Sequence, residues 1–563
     1  MIRNFIRRHP LAAVFAFVTV CVLPMMLWRD PSPSNELRYL SIVDEALRDG
    51  HLFAFYNHGI PYTDKPPLYF WLMMLCRLFC GKTCMWLPVL ITALVPSFVT
   101  VAVMDRWMRT GALSSRSERS EVSSRPERSG VEGSLPSPLM RICCAFLLLA
   151  SMLVMVQTFF LRMDMLMTMF ICLALFTFWK MYTGVDVRPR DRWLLPLYIF
   201  LALFTKGPVG FFAPVLIIIA FLALARQLRR LPEFLGWRQW LVLVLLFGGW
   251  ILGAWLEGGS EYIRSLLFHQ TMDRAVNAFT HKQPFWWYIP TLLYSVLPYT
   301  LLMVPTVGYL YAKTPRGDAF CRLLLTTIAV TFIMLSAFSG KLAIYLTPII
   351  PFMAYLMPRF AAESAGLAEG WKRAALLVVA GILAVAGIGL LFISRATGTD
   401  LLAPIALRLA LACPYIFCTT ILAIAAVLAA GSIFAIVVIC RGGWVKGAIA
   451  MGVTMFLAVF AAGCTIEPLN EWTAYEKVCQ EDASDTDCGT CNTLFVNRPE
   501  NMDVYLGYEV TDFGEDVESF LQSDHRGEAL IIDWQRAGSQ IPLREYLESR
   551  EGTQVGPFTV YAL

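Results

Sequence analysis

The residues best suited to chemistry crowd into the stretch between Ser34 and Trp71. Ser34-Asn35-Glu36-Leu37-Arg38-Tyr39 opens it and Tyr62-Thr63-Asp64-Lys65-Pro66-Pro67 closes it. Carboxylates at such a place can take a proton or ligate a cation, and guanidinium and ammonium groups can hold an anion. Asp164, flanked by Arg162, opens a later apolar run. Lys65, Lys206 and Lys341 each stand just before an apparent helix start, beside Pro or Gly. A cation there opposes the helix dipole by roughly 0.3–1 kcal/mol. One such lysine is more often a snorkelling anchor. Three of them suggest a phosphate cradle, in which ammonium groups supplement helix N-termini.

Blander readings stand beside these. Asn35 to Gly50 has the spacing of an amphipathic helix, with Leu37, Leu40, Val43 and Leu47 on one face and Arg38, Ser41, Glu45 and Arg48 on the other. Glu36 would then be a first-turn acid on an interfacial helix capped by Asn35. Arg274, His269 and His281 fall in a polar segment ending in Pro284-Phe285-Trp286-Trp287-Tyr288, an interfacial aromatic belt by composition. Asp64 with His281 is a candidate pair for a divalent metal, although lone histidines are usually not ligands. Lys206-Gly207-Pro208 lacks the glycine spacing of a P-loop, and no His-Glu-x-x-His or Gly-x-Ser-x-Gly occurs.

The elements that must position these groups are apolar. Hydrophobic residues make up 57% of the 563 and charged residues 16%, well under the roughly quarter usual in soluble chains. With a mean hydropathy of +0.59 the chain is a polytopic membrane protein. The net charge of +4 is too mild to imply nucleic acid. Most of the cysteines, such as Cys143, Cys144, Cys172 and Cys440, sit in apolar runs as small hydrophobes. Leu11–Trp28 reads as an uncleaved first span. About thirteen windows are long enough to cross roughly 30 Å of hydrocarbon, the last being Val445–Cys464. With the N-terminus inside, the connections carrying Arg106, Arg109 and Arg141, then Arg188, Arg190 and Arg192, then Arg226, Arg229 and Arg230 all fall on the cytoplasmic side, as the positive-inside rule requires. Every chemical motif falls on the other side. A first outer loop is expected over 29–84, a disordered Ser/Arg/Glu-rich cytoplasmic loop over 113–138 and an outer loop over 257–285. Residues 465–563 are expected to form a small outer α/β domain, with strands at Ala529–Asp533 and Phe558–Tyr561 and helices at Val517–Gln522 and Leu543–Glu548. A disulfide among Cys479, Cys488 and Cys491 would suit that compartment.

In order along the chain, the acid-x-Arg-Tyr motif, Asp64-Lys65-Pro66-Pro67, Arg162-x-Asp164, Thr205-Lys206-Gly207-Pro208-Val209-Gly210, His281…Trp286-Trp287-Tyr288 and Gly340-Lys341…Tyr345-Leu346-x-Pro348 resemble the aminoarabinose transferase and protein O-mannosyltransferase group of integral-membrane glycosyltransferases. The resemblance runs from about Ser34 to Pro351. It implies a GT-C fold, in a bacterial inner membrane, that transfers a sugar from a polyprenyl (undecaprenyl) phosphate carrier to a lipid A, glycan or protein acceptor at the periplasmic face. Glu36 and Asp164 would be the catalytic carboxylates, and Arg38, Lys65, Lys206, Lys341, Tyr345 and Arg274 would hold the donor phosphate. The group usually has Asp-Glu where this chain has Asn35-Glu36, which leaves open which carboxylate is the base. A transporter or flippase of such lipids, or a glycan ligase of the same fold, is the rival expectation.

Overall fold

The structure is a computed structural model, and it describes residues 6–82, 84–122, 136–267, 282–313, 318–364, 369–396, 402–485 and 490–563. Among these residues, eight helices are long and apolar enough to cross a membrane, from Pro10–Trp28 to Trp444–Cys464. Leu68–Cys80, Pro138–Leu149, Pro208–Leu224 and Ala403–Ala412 are shorter apolar helices. Several of the thirteen expected windows are broken. The Met140–Phe160 run splits at Ser151 into two helices, and the Trp286–Tyr311 run splits between Ser295 and Thr300. Ala343–Ile349 is a 3-10 helix carrying Pro348, because proline cannot donate to a continuous α-helical ladder. The helix starting at Val95 continues to Val122, into the stretch expected to be a linker.

Seven helices organise the site and the tail. The first, α1 (Pro10–Trp28), packs against Trp444–Cys464, with Val18 and Val22 wholly buried. After a π-helical turn at Pro33–Leu37 comes α2 (Arg38–Asp49), which ends at Gly50 with φ 77°, the left-handed stop that the sequence predicts. Asn35 does not cap it; its side-chain oxygen accepts from Arg38 instead. Nor does α2 lie open on a bilayer. Ser41 and Glu45 on its polar face are buried, with Ser41 donating to Asp503 at 2.9 Å and Glu45 accepting from the His58 and Gly59 amides.

Next come α3 (Asp164–Thr183), α4 (Asp191–Lys206) and α5 (Pro208–Leu224). Helices α3 and α4 form an antiparallel hairpin with an ion pair at each end: Lys180 to Asp191 at 2.7 Å at one, Lys206 to Asp164 at the other. On α3 the two pairs stand a helix length of about 24 Å apart, which is most of the roughly 30 Å of a hydrocarbon core. The Lys180–Asp191 end also gathers the bridges Arg106–Asp186 and Arg230 to the Tyr182 carbonyl. The basic connections and the chemical motifs thus occupy opposite ends of the bundle, as read from the sequence. Helix α6 (Trp237–Arg264) kinks at Gly259 and holds the first loop: Glu257 accepts from the Leu52, Phe53 and Ala54 amides, and Tyr262 bonds Phe55 and Tyr62.

Beyond Cys464 the chain builds the expected small α/β unit. With a hairpin, β1 (Tyr56–Asn57) and β2 (Ile60–Pro61), in the first loop, the remaining strands are β3 (Cys491–Leu494), β4 (Thr511–Asp512), β5 (Ala529–Asp533), β6 (Gly552–Val555) and β7 (Phe558–Ala562), in the order β4-β3-β5-β7-β6. One sheet face buries Cys491, Ile531, Phe558 and Val560 toward α7 (Glu476–Asp485); the other buries Leu494, Leu530 and Ile532 under Val517–Gln522 and Ile541–Leu547. Cys479 and Cys491 are buried, and Cys488, the third cysteine of the expected disulfide, lies outside the described residues. This unit is tied to the first loop by Asn470 donating to the Trp28 carbonyl and Asn501 to the Pro33 carbonyl.

Candidate active site

At the motif end of the hairpin, Asp164 opens α3 and Lys206 closes α4. Their side chains are 2% and 9% exposed, so the ion pair is largely shielded from water. The Lys206 ammonium also lies 4.4 Å from the centre of the Tyr345 ring, in cation–π range. The expected dipole penalty does not apply here. Lys206 is the last residue of α4, where the dipole favours a cation, and α5 starts only after the turn. Gly207 makes that turn at φ 98°, and Gly210 lets α5 approach α4 closely: a Cβ there would stand 2.2 Å from the Ala202 carbonyl oxygen. The Lys-Gly-Pro-x-Gly spacing is therefore the backbone requirement of a sharp helix reversal that places Lys206.

The first loop brings a second group to the same place. The Arg38 guanidinium lies 5.8 Å from the Tyr39 ring centre and 5.6 Å from that of Tyr62, and it donates to Asn35 at 3.1 Å. Burial works against its charge; Tyr62, Tyr39 and the Asp64 carboxylate outweigh burial and raise its pKa. Burial likewise raises the Tyr39 phenol, which feels the charges of Arg162, Arg38 and Asp164 together. Tyr39 thus stands between the first-loop cations and the Arg162–Asp164 motif. Asp64 and Lys65 are half-buried in the bend before Leu68–Cys80, each engaged by neighbours.

Two of the expected site residues are already engaged by the protein itself, and two more lie outside the described residues. Glu36 is not placed to act as a base. It is wholly buried, and both its oxygens are taken: Arg29 donates twice, at 2.9 and 2.8 Å, the Ser32 amide at 2.9 Å and the Leu161 amide at 2.6 Å. Burial would raise its pKa, but Arg29 and the two amides win and hold it below the usual carboxylate range. Lys341 is likewise engaged, donating to the Gln283 and Phe338 carbonyls and so tying two outer segments together. Arg274 and His281 lie outside the described residues, as does His269. Among the described residues no group of three or more His, Cys, Asp or Glu is placed to hold a metal, and the expected pairing of Asp64 with His281 falls partly outside them.

Arg29 is the residue that sequence reading missed. It closes the first span and looks like an ordinary interfacial anchor. In the fold it grips Glu36, donates to the Phe159 carbonyl at 2.9 Å and lies 4.0 Å from the Phe160 ring centre. Its position seven residues before a buried acid was the available signal. Glu257, whose carboxylate gathers the Leu52, Phe53 and Ala54 amides, was missed as well.

The whole arrangement has the helical membrane fold, with a small α/β unit after it, that the ordered motifs led one to expect. The chain superposes on the crystal structure of ArnT from Cupriavidus metallidurans bound to undecaprenyl phosphate with a TM-score of 0.70, covering 98% of this chain and 97% of that one at 15% identity. The apo state of the same protein gives a TM-score of 0.67. In sequence the chain is 26% identical over 349 residues to the undecaprenyl phosphate-alpha-4-amino-4-deoxy-L-arabinose arabinosyl transferase of Pseudomonas savastanoi pv. phaseolicola, and 26% identical over 354 residues to one from Pseudomonas fluorescens. The first of these matches spans 61% of this chain and 59% of the relative. No protein-family model matches the chain. The resemblance read from the ordered motifs is thus borne out by the relatives and by the fold.

Proposed function

We propose that this protein is a glycosyltransferase that moves a sugar from an undecaprenyl-phosphate carrier to a lipid A, glycan or protein acceptor at the periplasmic face of the inner membrane. The observation that supports it most is the shielded Asp164–Lys206 pair beside Tyr345, at the end of the bundle where Arg38, Asp64 and Arg162 also gather. In this reading residues 1–464 are the catalytic membrane domain with a cytoplasmic N-terminus, and residues 465–563 are periplasmic.

The chemistry follows from charge. With no donor bound, Lys206 and Asp164 neutralise each other. A donor phosphate competes for Lys206, with Arg38 and Lys65 adding positive charge, and this releases the Asp164 carboxylate. An acceptor hydroxyl then attacks the anomeric carbon. The new C–O bond forms as the bond to phosphate oxygen breaks, the phosphate leaves with the electron pair, and Asp164 takes the hydroxyl proton. The leaving phosphate needs no strong acid, only the cations that already hold it. Asn35 cannot serve as a base, and Glu36 is locked by Arg29, so Asp164 carries the proton transfer alone.

Mass spectrometry of lipid A and surface glycans from a deletion strain tests this reading. It expects one molecule to lose a single sugar and to accumulate unmodified. Unchanged glycolipids together with an altered distribution of the carrier between leaflets would instead favour a flippase.

A further inference from the structure

We propose that the C-terminal domain carries a second binding site, for an anionic saccharide, in a cleft remote in sequence from the Asp164–Lys206 pair. The cleft lies between β6 and β7, the short helix Trp534–Ala537 and the final helix, α8 (Ile541–Leu547). Strand alternation sets its floor. Phe558 and Val560 point to the buried face, so Thr559 and Tyr561 point the other way, paired across the ladder with Gln554 and Gly552. Trp534, Arg544 and Arg550 form its walls, and the cleft, open to solvent, has a volume of about 590 Å³. That falls within the roughly 300–1,000 Å³ of small-molecule sites.

The lining chemistry selects the ligand. The Trp534 indole donates to the Tyr561 hydroxyl at 3.3 Å, which fixes two aromatic faces suited to stacking on sugar C–H groups. Arg544 stacks 4.9 Å from the Trp534 ring centre and Arg550 4.7 Å from that of Tyr546. Such stacks occur in purely structural roles as well. What separates this one is that Nη1 of Arg550 is buried and has no hydrogen-bond partner. A guanidinium donor left in that state is costly unless an acceptor completes it. Two arginines against Glu548 make the lining net cationic. Together these features fit a sugar bearing a phosphate or carboxylate. The cleft's purpose, presenting an acceptor glycan, rests on the glycosyltransferase reading, but the binding itself does not.

The test is saturation-transfer NMR on the full-length protein in detergent micelles, titrated with glucose 1-phosphate, glucose or inorganic phosphate. Glucose 1-phosphate is expected to bind wild type and Asp164→Asn alike. Arg550→Gln and Trp534→Ala are each expected to weaken it about tenfold, the worth of one charge-assisted hydrogen bond or stacking contact, while Trp534→Phe retains it. Glucose and inorganic phosphate should each bind at least about tenfold more weakly than the combined ligand. Arg550→Gln removes a guanidinium whose buried Nη1 has no hydrogen-bond partner and keeps a planar amide against Tyr546, so it should fold even if Trp534→Ala does not. Equal binding in Arg550→Gln and wild type would overturn the site, and inorganic phosphate binding as tightly as the sugar phosphate would overturn its ligand class. Loss of binding in Asp164→Asn would assign the ligand to the transfer site instead.

Discussion

At the scale of single residues, Glu36 shows how a motif and its chemistry can part. Its type and position suggested a base at the water–lipid boundary. The fold uses it as a four-donor knot linking the end of α1, the first loop and the segment leading to Asp164. Removing one partner of a buried pair leaves the other uncompensated, at about 3–5 kcal/mol. Glu36→Gln should therefore lower the melting temperature of the purified protein sharply, and Arg29→Met should do the same. A Glu36→Gln protein as stable as wild type, with lost transfer and a shifted pH–rate profile, would restore Glu36 as the base. Asp164 and Lys206 were legible from type and spacing. Their pairing was not, because residues forty-two apart meet only once α3 and α4 fold back.

At the scale of elements, Gly207 between α4 and α5 and Gly210 in the first turn of α5 illustrate what spacing can and cannot tell. Gly210 has its reason in the Ala202 carbonyl, which lies far too close for any side chain. Gly210→Ala should push the two helices apart, cost about 1–3 kcal/mol and reduce transfer by displacing Lys206. Gly249→Ala, where a Cβ meets nothing within 4 Å, should change neither melting temperature nor activity. Loss of transfer in both would break the argument. The contact between the first loop and the C-terminal unit makes a pH prediction. Burial, and then the hydrogen bond and charge of Glu476, push Asp30 up to about 7, with Arg29 and Lys477 opposing. Between an unfolded pKa near 4 and that value the folded chain holds a proton the unfolded chain lacks, so stability falls as pH rises from about 4 to 7. Thermal melts at pH 5.5 and 8 should show the lower pH favoured in wild type and this difference reduced in Asp30→Asn. An unchanged difference in the variant would remove Asp30 as its source.

At the scale of the whole molecule, charge distribution was the most informative signal in the sequence. The positive-inside pattern separated basic connections from chemical motifs, and the α3–α4 hairpin carries that separation in its two ion pairs. Composition was less informative about helix continuity, because apolar runs such as Ala343–Met357 look the same whether α-helical or broken by proline. The strands at Ala529–Asp533 and Phe558–Ala562 were legible as β-branched and aromatic runs, whereas the edge strands β4 and β6, polar and short, gave no such signal. In the proposed mechanism Asp164 takes the proton and Lys206 holds the departing phosphate. This assignment is tested most directly by single-turnover transfer from an undecaprenyl-phosphate sugar donor with purified wild type, Asp164→Asn and Lys206→Met. Asp164→Asn is expected to bind donor as wild type does yet to transfer at least about a hundredfold more slowly, and Lys206→Met to lose donor affinity as well as rate. Wild-type transfer by Asp164→Asn would contradict it.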